Sequence, residues 1–270
     1  MVSLTGIKHR AILASDNLSE ILQSLKLTAM DDRLESVLDM CGSAELTYRE
    51  ALALFCDIER ERRAERRITM GMQIAHFPYV RTLETFDFAE QVSIDPGQIR
   101  DLALCRWVAS GDNAILLGPP GVGKTHLAVA LGREAIIRGY STMFVTAVGL
   151  LANLAKAHSE NKLEQRLTYY AKPKLLIIDE LGYLPFDLNT AHLFFQLVSK
   201  RYGKSATLIT SNRAFGEWGD VFGDPVVATA ILDRLLHQSH VVTIKGESYR
   251  LKSKRKSGIM PAKLAADSGQ

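Results

Sequence analysis

The sequence predicts an α/β fold in which a parallel sheet lies between helices, preceded by a small all-α N-terminal domain. Two observations carry this. From residue 95 onward five short apolar runs, NAILL (113–117), STMFVT (141–146), KLLII (174–178), ATLIT (206–210) and HVVTI (240–244), alternate with stretches of helical pattern. Strands that are apolar throughout need cover on both faces, which a parallel sheet receives from its crossover helices. Before residue 69 the periodicity is helical instead.

The elements follow in order. Leu18, Ile21, Leu22, Leu25, Met30, Leu34, Val37 and Leu38 stand at helical spacing. Thr47 followed by Glu50 forms a capping box, in which each side chain satisfies the other's free backbone N–H, and it opens a second helix through Leu54, Phe55 and Ile58. Residues 1–68 are therefore expected to be one helical domain. Residues 69–94, with Pro78 and the aromatics Phe77, Tyr79, Phe86 and Phe88, read as a linker. Asp95-Pro96 marks a helix start, because proline loses nothing at the first helical position. The α/β domain then spans 95–252, and 253–270 form a basic tail.

Composition excludes several classes. No run of eighteen apolar residues occurs in the 270, so no membrane helix is expected. The N-terminus lacks the apolar stretch of a secretory signal. Cys41, Cys56 and Cys105 are isolated, which suits reduced thiols in a cytoplasmic protein. The seven histidines show no metal-ligand spacing. The net charge of +3 hides two runs. ERERRAERR (59–67) reads as a solvated helix face laced with i,i+4 pairs. KGESYRLKSKRK (245–256) holds six cations and one Glu, so Lys245, Lys252, Lys254, Arg255 and Lys256 are candidates for contact with a nucleic-acid backbone, the alternative being a solubilising tail.

Three segments carry chemistry. The first strand runs into Gly118-Pro119-Pro120-Gly121-Val122-Gly123-Lys124-Thr125, and a helical pattern beginning at His126 follows at once. This is GxxxxGK[ST] in its strand–loop–helix context. Glycines let backbone N–H groups turn inward toward a polyanion, and the helix N-terminus adds partial positive charge. Lys124 would face the β- and γ-phosphates of a nucleotide, and Thr125 would ligate Mg²⁺. The run Leu175–Glu180 is an apolar strand ending in Asp179, placed to hold Mg²⁺ through water, and Glu180, placed to polarise the attacking water. A whole strand–helix unit separates these two segments in sequence. Asn212, after the next strand, is either a turn residue or an amide that orients the water. Arg234, one helix further on, is either a surface arginine or a finger supplied to a neighbouring subunit.

GPPGVGKTHLAVALG, LLIIDELGYLP, LITSNRAFGEWGDVFGDPVVATAILDRLLH and FPYVRTLETFDF together resemble the IstB-type transposition helper ATPases, AAA+ relatives of the DnaC and DnaI helicase loaders, over residues 18–252. The resemblance implies an Mg²⁺-dependent ATPase. Lys124 and Thr125 match Walker A, Asp179 and Glu180 Walker B, Asn212 sensor I and Arg234 the arginine finger; by the same resemblance Arg250 would correspond to sensor II, and Phe86-Asp87-Phe88 would lie near the adenine. It also implies ATP-bridged homo-oligomers that grip double-stranded DNA, and an N-terminal domain that contacts a transposase. As in that subgroup, no C-terminal lid domain is expected. The alternatives are a replicative helicase loader and a nucleotide-dependent interaction module without turnover.

Overall fold

Strands form where the apolar runs lie. β1 (Asn113–Leu117), β2 (Thr142–Thr146), β3 (Leu175–Leu181), β4 (Ala206–Ser211) and β5 (Ser239–Thr243) pair in parallel in the order β2-β3-β4-β1-β5. β4 thus stands between β1 and the acidic strand β3, so those two are not neighbours. The computed structural model describes residues 7, 12, 14–183 and 185–249, and the chain divides into two units, Met1–Thr69 and Met70–Gln270.

In the second unit the strand pleat sorts side chains into two apolar layers. Ala114, Leu116, Leu175, Ile177 and Leu208 face α5 (Pro96–Ala103), α6 (Arg106–Ser110) and α7 (Lys124–Ile137). Ile115, Leu117, Leu176, Ile178 and Ile209 face the opposite layer. That layer holds α8 (Ala147–Ser159), α9 (Leu163–Ala171), α10 (Leu188–Arg201), α11 (Trp218–Phe222) and α12 (Pro225–Leu236). Each buried Leu or Ile contributes about 1.5–3 kcal/mol, so these layers drive the fold. Asp95 caps α5 by accepting from Gly97 N at 2.8 Å, with Pro96 at the first position, as the sequence indicated. The segment read as a linker differs from expectation. Phe86 and Ile94 are buried in the α5–α7 layer, and Ala75 O accepts from Phe144 N at 2.8 Å, so residues 75–94 are part of this unit. Its aromatics have an apolar face to fill, which a free connector would lack.

The first unit contains α1 (Leu18–Ser24), α2 (Thr28–Asp32), α3 (Leu34–Ser43) and most of α4 (Tyr48–Ile74). The Thr47–Glu50 box opens α4, with Thr47 N donating to Glu50 at 2.8 Å. The helix runs past Ile58 to Ile74, because ERERRAERR is built of strong helix formers. Arg63 pairs with Glu59 four residues back at 2.9 Å, and the nearly buried Glu59 accepts from Ala29 N at 3.0 Å, capping α2. Among the described residues no helix is long and apolar enough to cross a membrane. Cys41, Cys56 and Cys105 are free, and burial pushes the Cys105 thiol up to about 11.

Arg201, in the last turn of α10, is 2% exposed. Its guanidinium donates to the carbonyls of Tyr170 (2.9 Å), Ala171 (3.2 Å), Pro173 (3.0 Å) and Ala206, and to the Thr207 hydroxyl (3.1 Å). It joins the end of α9 to the starts of β3 and β4. Arg201→Met should leave buried carbonyls without a donor, each costing about 1–3 kcal/mol, and urea melts should show at least ~3 kcal/mol of lost stability. A melt superimposable on wild type would show that the stitch is dispensable.

Candidate functional site

The glycine loop joins β1 to α7, and Lys124 and Thr125 open the helix. Neighbours press closely on the loop. A Cβ on Gly123, at φ +101°, would stand 2.6 Å from the Phe86 ring, and one on Gly121, at φ +82°, would collide with Ser248. Both positions therefore need glycine for dihedral and for space. Within the loop, Lys124 Nζ donates to the carbonyls of Gly118 (2.6 Å) and Pro119 (2.8 Å). Burial lowers the Lys124 pKa, with the Asp179 and Glu180 carboxylates opposing.

β3 carries the acidic pair on an irregularity. Ile178 pairs with Ile209 and Leu181 with Ser211, so β3 has one residue more than β4 between these rungs. Glu180 sits at φ +62°, a left-handed conformation unusual for a side-chain-bearing residue. A regular strand would send adjacent side chains to opposite faces, and the bulge re-aims them. Asp179 is buried beneath α7 and accepts from Thr125 Oγ1 at 3.0 Å and from Thr210 Oγ1 at 2.5 Å. The Thr210 hydroxyl in turn accepts from Glu180 N at 2.9 Å. Burial pushes the Asp179 carboxyl above the usual range, while both threonine hydroxyls and Lys124 pull it back.

Pro120–His126, Glu180 and Asn212 line one cavity of about 640 Å³. Asn212 Oδ1 is buried there without a hydrogen-bond partner among the described residues, the mark of an acceptor kept for a ligand. His126 Nε2 lies 2.9 Å from Thr82 O and 3.3 Å from Thr85 Oγ1, which fastens residues 82–85 to α7; burial lowers its pKa. Arg234 does not line the cavity: its guanidinium donates to Ala230 O at 3.1 Å and lies 4.5 Å over the Phe195 ring. Lys245 is exposed, and its N–H donates to Ser93 Oγ at 2.9 Å. Arg250, Lys252, Lys254, Arg255 and Lys256 lie outside the described residues, as does the segment where absence of a lid was expected.

The residues suit a nucleotide phosphate chain with its metal ion. A glycine loop, a lysine, the Thr125 hydroxyl at a helix N-terminus, the Glu180 carboxylate and an unpartnered amide oxygen line one cavity, with Asp179 hydrogen-bonded to Thr125. A family described as IstB-like ATP binding protein matches residues 20–257. The chain belongs to this family. It is 46% identical over 243 residues to the insertion sequence IS21 putative ATP-binding protein of Pseudomonas aeruginosa, covering 90% of this chain and 92% of that one. It is 43% identical over 240 residues to the IS5376 putative ATP-binding protein of Geobacillus stearothermophilus, covering 89% and 96%. Among solved structures, the fold is similar to DnaI, with TM-score 0.52, 24% identity, 64% of this chain and 93% of that chain. It is also similar to the replication initiator DnaA bound to AMPPCP and single-stranded DNA, with TM-score 0.54, 21% identity, 70% of this chain and 58% of that chain. These likenesses show that the chain shares its α/β fold with DnaI and DnaA.

Sequence reasoning missed two residues that shape the site. Thr210 looked like an ordinary strand residue, and only the β3–β4 pairing sets its hydroxyl between Asp179 and Glu180. Gln91 lay in the presumed linker, yet its amide reaches Val122 O at 3.0 Å. Thr210→Val should destabilise the unit by about 1–3 kcal/mol at neutral pH. Asp179 has a raised folded pKa, so its ionised form opposes folding, and stability from its protonated form is lost as pH rises through that pKa. Removing a hydroxyl that favours ionisation raises the pKa further. The gap between variant and wild-type denaturation midpoints should therefore narrow as the pH is made acidic. A gap that widens in acid would contradict this arrangement.

Proposed function

We propose that this chain is an ATP-dependent DNA transposition helper that hydrolyses ATP, assembles on duplex DNA and delivers it to a transposase. The observation that carries the reading is the convergence of Lys124, Thr125, Glu180 and the unpartnered Asn212 oxygen on one cavity, in a member of the IstB-like family. Lys124 would exchange the Gly118 and Pro119 carbonyls for phosphate oxygens. Thr125 and Asp179 would hold Mg²⁺, which when bound neutralises charge on the β- and γ-phosphates. Glu180 would accept a proton from the water whose oxygen attacks the γ-phosphorus, and Asn212 Oδ1 would orient that water. The products are ADP and phosphate.

Partner and assembly roles rest on surface features. Leu38, Met40, Tyr48 and Leu52 of the helical unit are exposed, which supports a protein-binding role for that unit and a transposase as its partner. Lys245 and four of the cations that follow it, Lys252, Lys254, Arg255 and Lys256, supply the charge for a DNA backbone. Arg234 lies away from its own chain's cavity, which supports a role in trans.

Glu180→Gln retains size and hydrogen bonding but removes the base. Its ATP turnover, measured with and without duplex DNA, should fall on the order of 10²-fold or more, while ATP binding persists. Turnover at the wild-type rate would remove Glu180 from the chemistry, and a wild-type protein that binds ATP without turnover on any DNA would favour a nucleotide-dependent switch.

Arg234→Ala should also be inactive, because each site would lack its neighbour's guanidinium. Mixing it with Glu180→Gln creates interfaces that pair an intact Glu180 with an intact Arg234. Two inactive proteins should then recover part of the activity, more so with duplex DNA. If light scattering shows co-assembly and the mixture stays inactive, Arg234 acts within its own helix.

A further inference from the structure

We infer that Gln91 is a positioning residue of the phosphate loop, which it holds together with the backbone of Tyr249 by pinning two successive loop carbonyls. The inference rests on the nucleotide reading above and adds what sets the loop's geometry. Gln91 lies in the turn before α5, is 6% exposed and lines the same cavity. Its Nε2 donates to Val122 O at 3.0 Å. That acceptor is a carbonyl, so the amide orientation is fixed: only the NH₂ end can bond there. One residue earlier, Gly121 O accepts from Tyr249 N at 3.0 Å.

A trans peptide group is planar, with its C=O and N–H pointing in opposite directions. A carbonyl held by a neighbouring segment therefore turns the N–H of the next residue away from that segment. With Gly121 O held by Tyr249, the Val122 N–H faces the other way, and with Val122 O held by Gln91, the Gly123 N–H does the same. These N–H groups belong to the stretch that would wrap a phosphate. Gly121 and Gly123, at φ +82° and +101°, could otherwise flip their peptides at little steric cost. Glycine gives the loop freedom to adopt this shape, and the clamp removes that freedom in advance, which favours binding by cutting the ordering cost.

The clamp is anchored to a wider seam. Ser93, two residues after Gln91, exchanges hydrogen bonds with the Lys245 main chain, its hydroxyl donating to Lys245 O and accepting from Lys245 N, both at 2.9 Å. Ile244 N donates to Leu117 O at 2.7 Å, just before the loop begins. The 91–93 turn and the 244–249 segment thus hold each other as well as the loop between them.

Gln91→Met retains length and removes the donor; Gln91→Glu retains shape and sets a carboxylate against the Val122 carbonyl. In calorimetric titrations with ADP, both should weaken binding about ten-fold, with the Glu variant the weaker. AMP, which lacks the β-phosphate the loop would hold, should bind each variant as it binds wild type, whereas a general loss of packing would weaken both ligands alike. Thermal melts identify variants that fold, and the Glu variant serves where the Met variant does not. Lys124→Ala is run alongside. If Lys124→Ala loses ADP affinity and a folded Gln91 variant retains it, the clamp is refuted and the nucleotide site stands. If Lys124→Ala also binds ADP like wild type, the nucleotide reading fails and the clamp falls with it.

Discussion

A carboxylate buried beneath a helix N-terminus loses its water and needs donors for its oxygens, and Asp179 receives them from two directions. Thr125 reaches down from the first turn of α7 and Thr210 reaches across from β4. This one group therefore fixes three elements against each other at the carboxyl ends of the strands, where ligands of open α/β sheets bind. The strand bulge follows from it. With Asp179 turned under α7, the next residue must re-aim, and Glu180 reaches the cavity only by taking a left-handed backbone, whose N–H is secured by the same Thr210 hydroxyl. Local strain at Glu180 is offset by a hydrogen bond shared with its neighbour's partner.

Lys124 illustrates a second consequence of low polarity around the loop. Its ammonium is partly buried, which lowers its pKa, and it turns to the carbonyls of Gly118 and Pro119. A phosphate chain competes with those carbonyls for the same donor, so the net gain from binding is the difference between an anionic and a neutral acceptor for one ammonium. Arg234, meanwhile, is occupied with Ala230 O and Phe195 on its own chain. On the proposed reading, a single chain supplies the base and the cradle, and assembly supplies the last cation.

The strands and the glycine loop were legible because they depend on local pattern. NAILL and ATLIT became β1 and β4 at nearly their expected bounds, and Asp95-Pro96 capped α5 as its chemistry demands. The acidic pair was legible as a pair, but its bulge was not, since an extra residue between rungs shows only once β3 lies beside β4. Residues 75–94 escaped for a similar reason. Their aromatics are too irregularly spaced to announce a face, yet Phe86 packs under Gly123 and Gln91 reaches Val122 through contacts more than thirty residues apart in sequence. On α1, Leu22 is buried while Ile21 and Leu25 stay exposed, so helical spacing there identified the helix better than its inner face. Arg234 and the basic cations are a different case, because their proposed partners lie outside the chain.

The central claim is that the cavity beside Asp179 is a nucleotide phosphate site built around a loop held open in advance. It is tested most directly by a structure with a non-hydrolysable ATP analogue and Mg²⁺. The account predicts that Lys124 Nζ leaves the Gly118 and Pro119 carbonyls for phosphate oxygens and that Asn212 Oδ1 gains a partner. It also predicts that the Gly121 and Val122 carbonyls stay on Tyr249 and Gln91. Analogue bound elsewhere, or Lys124 still on its own loop with the analogue present, would contradict it.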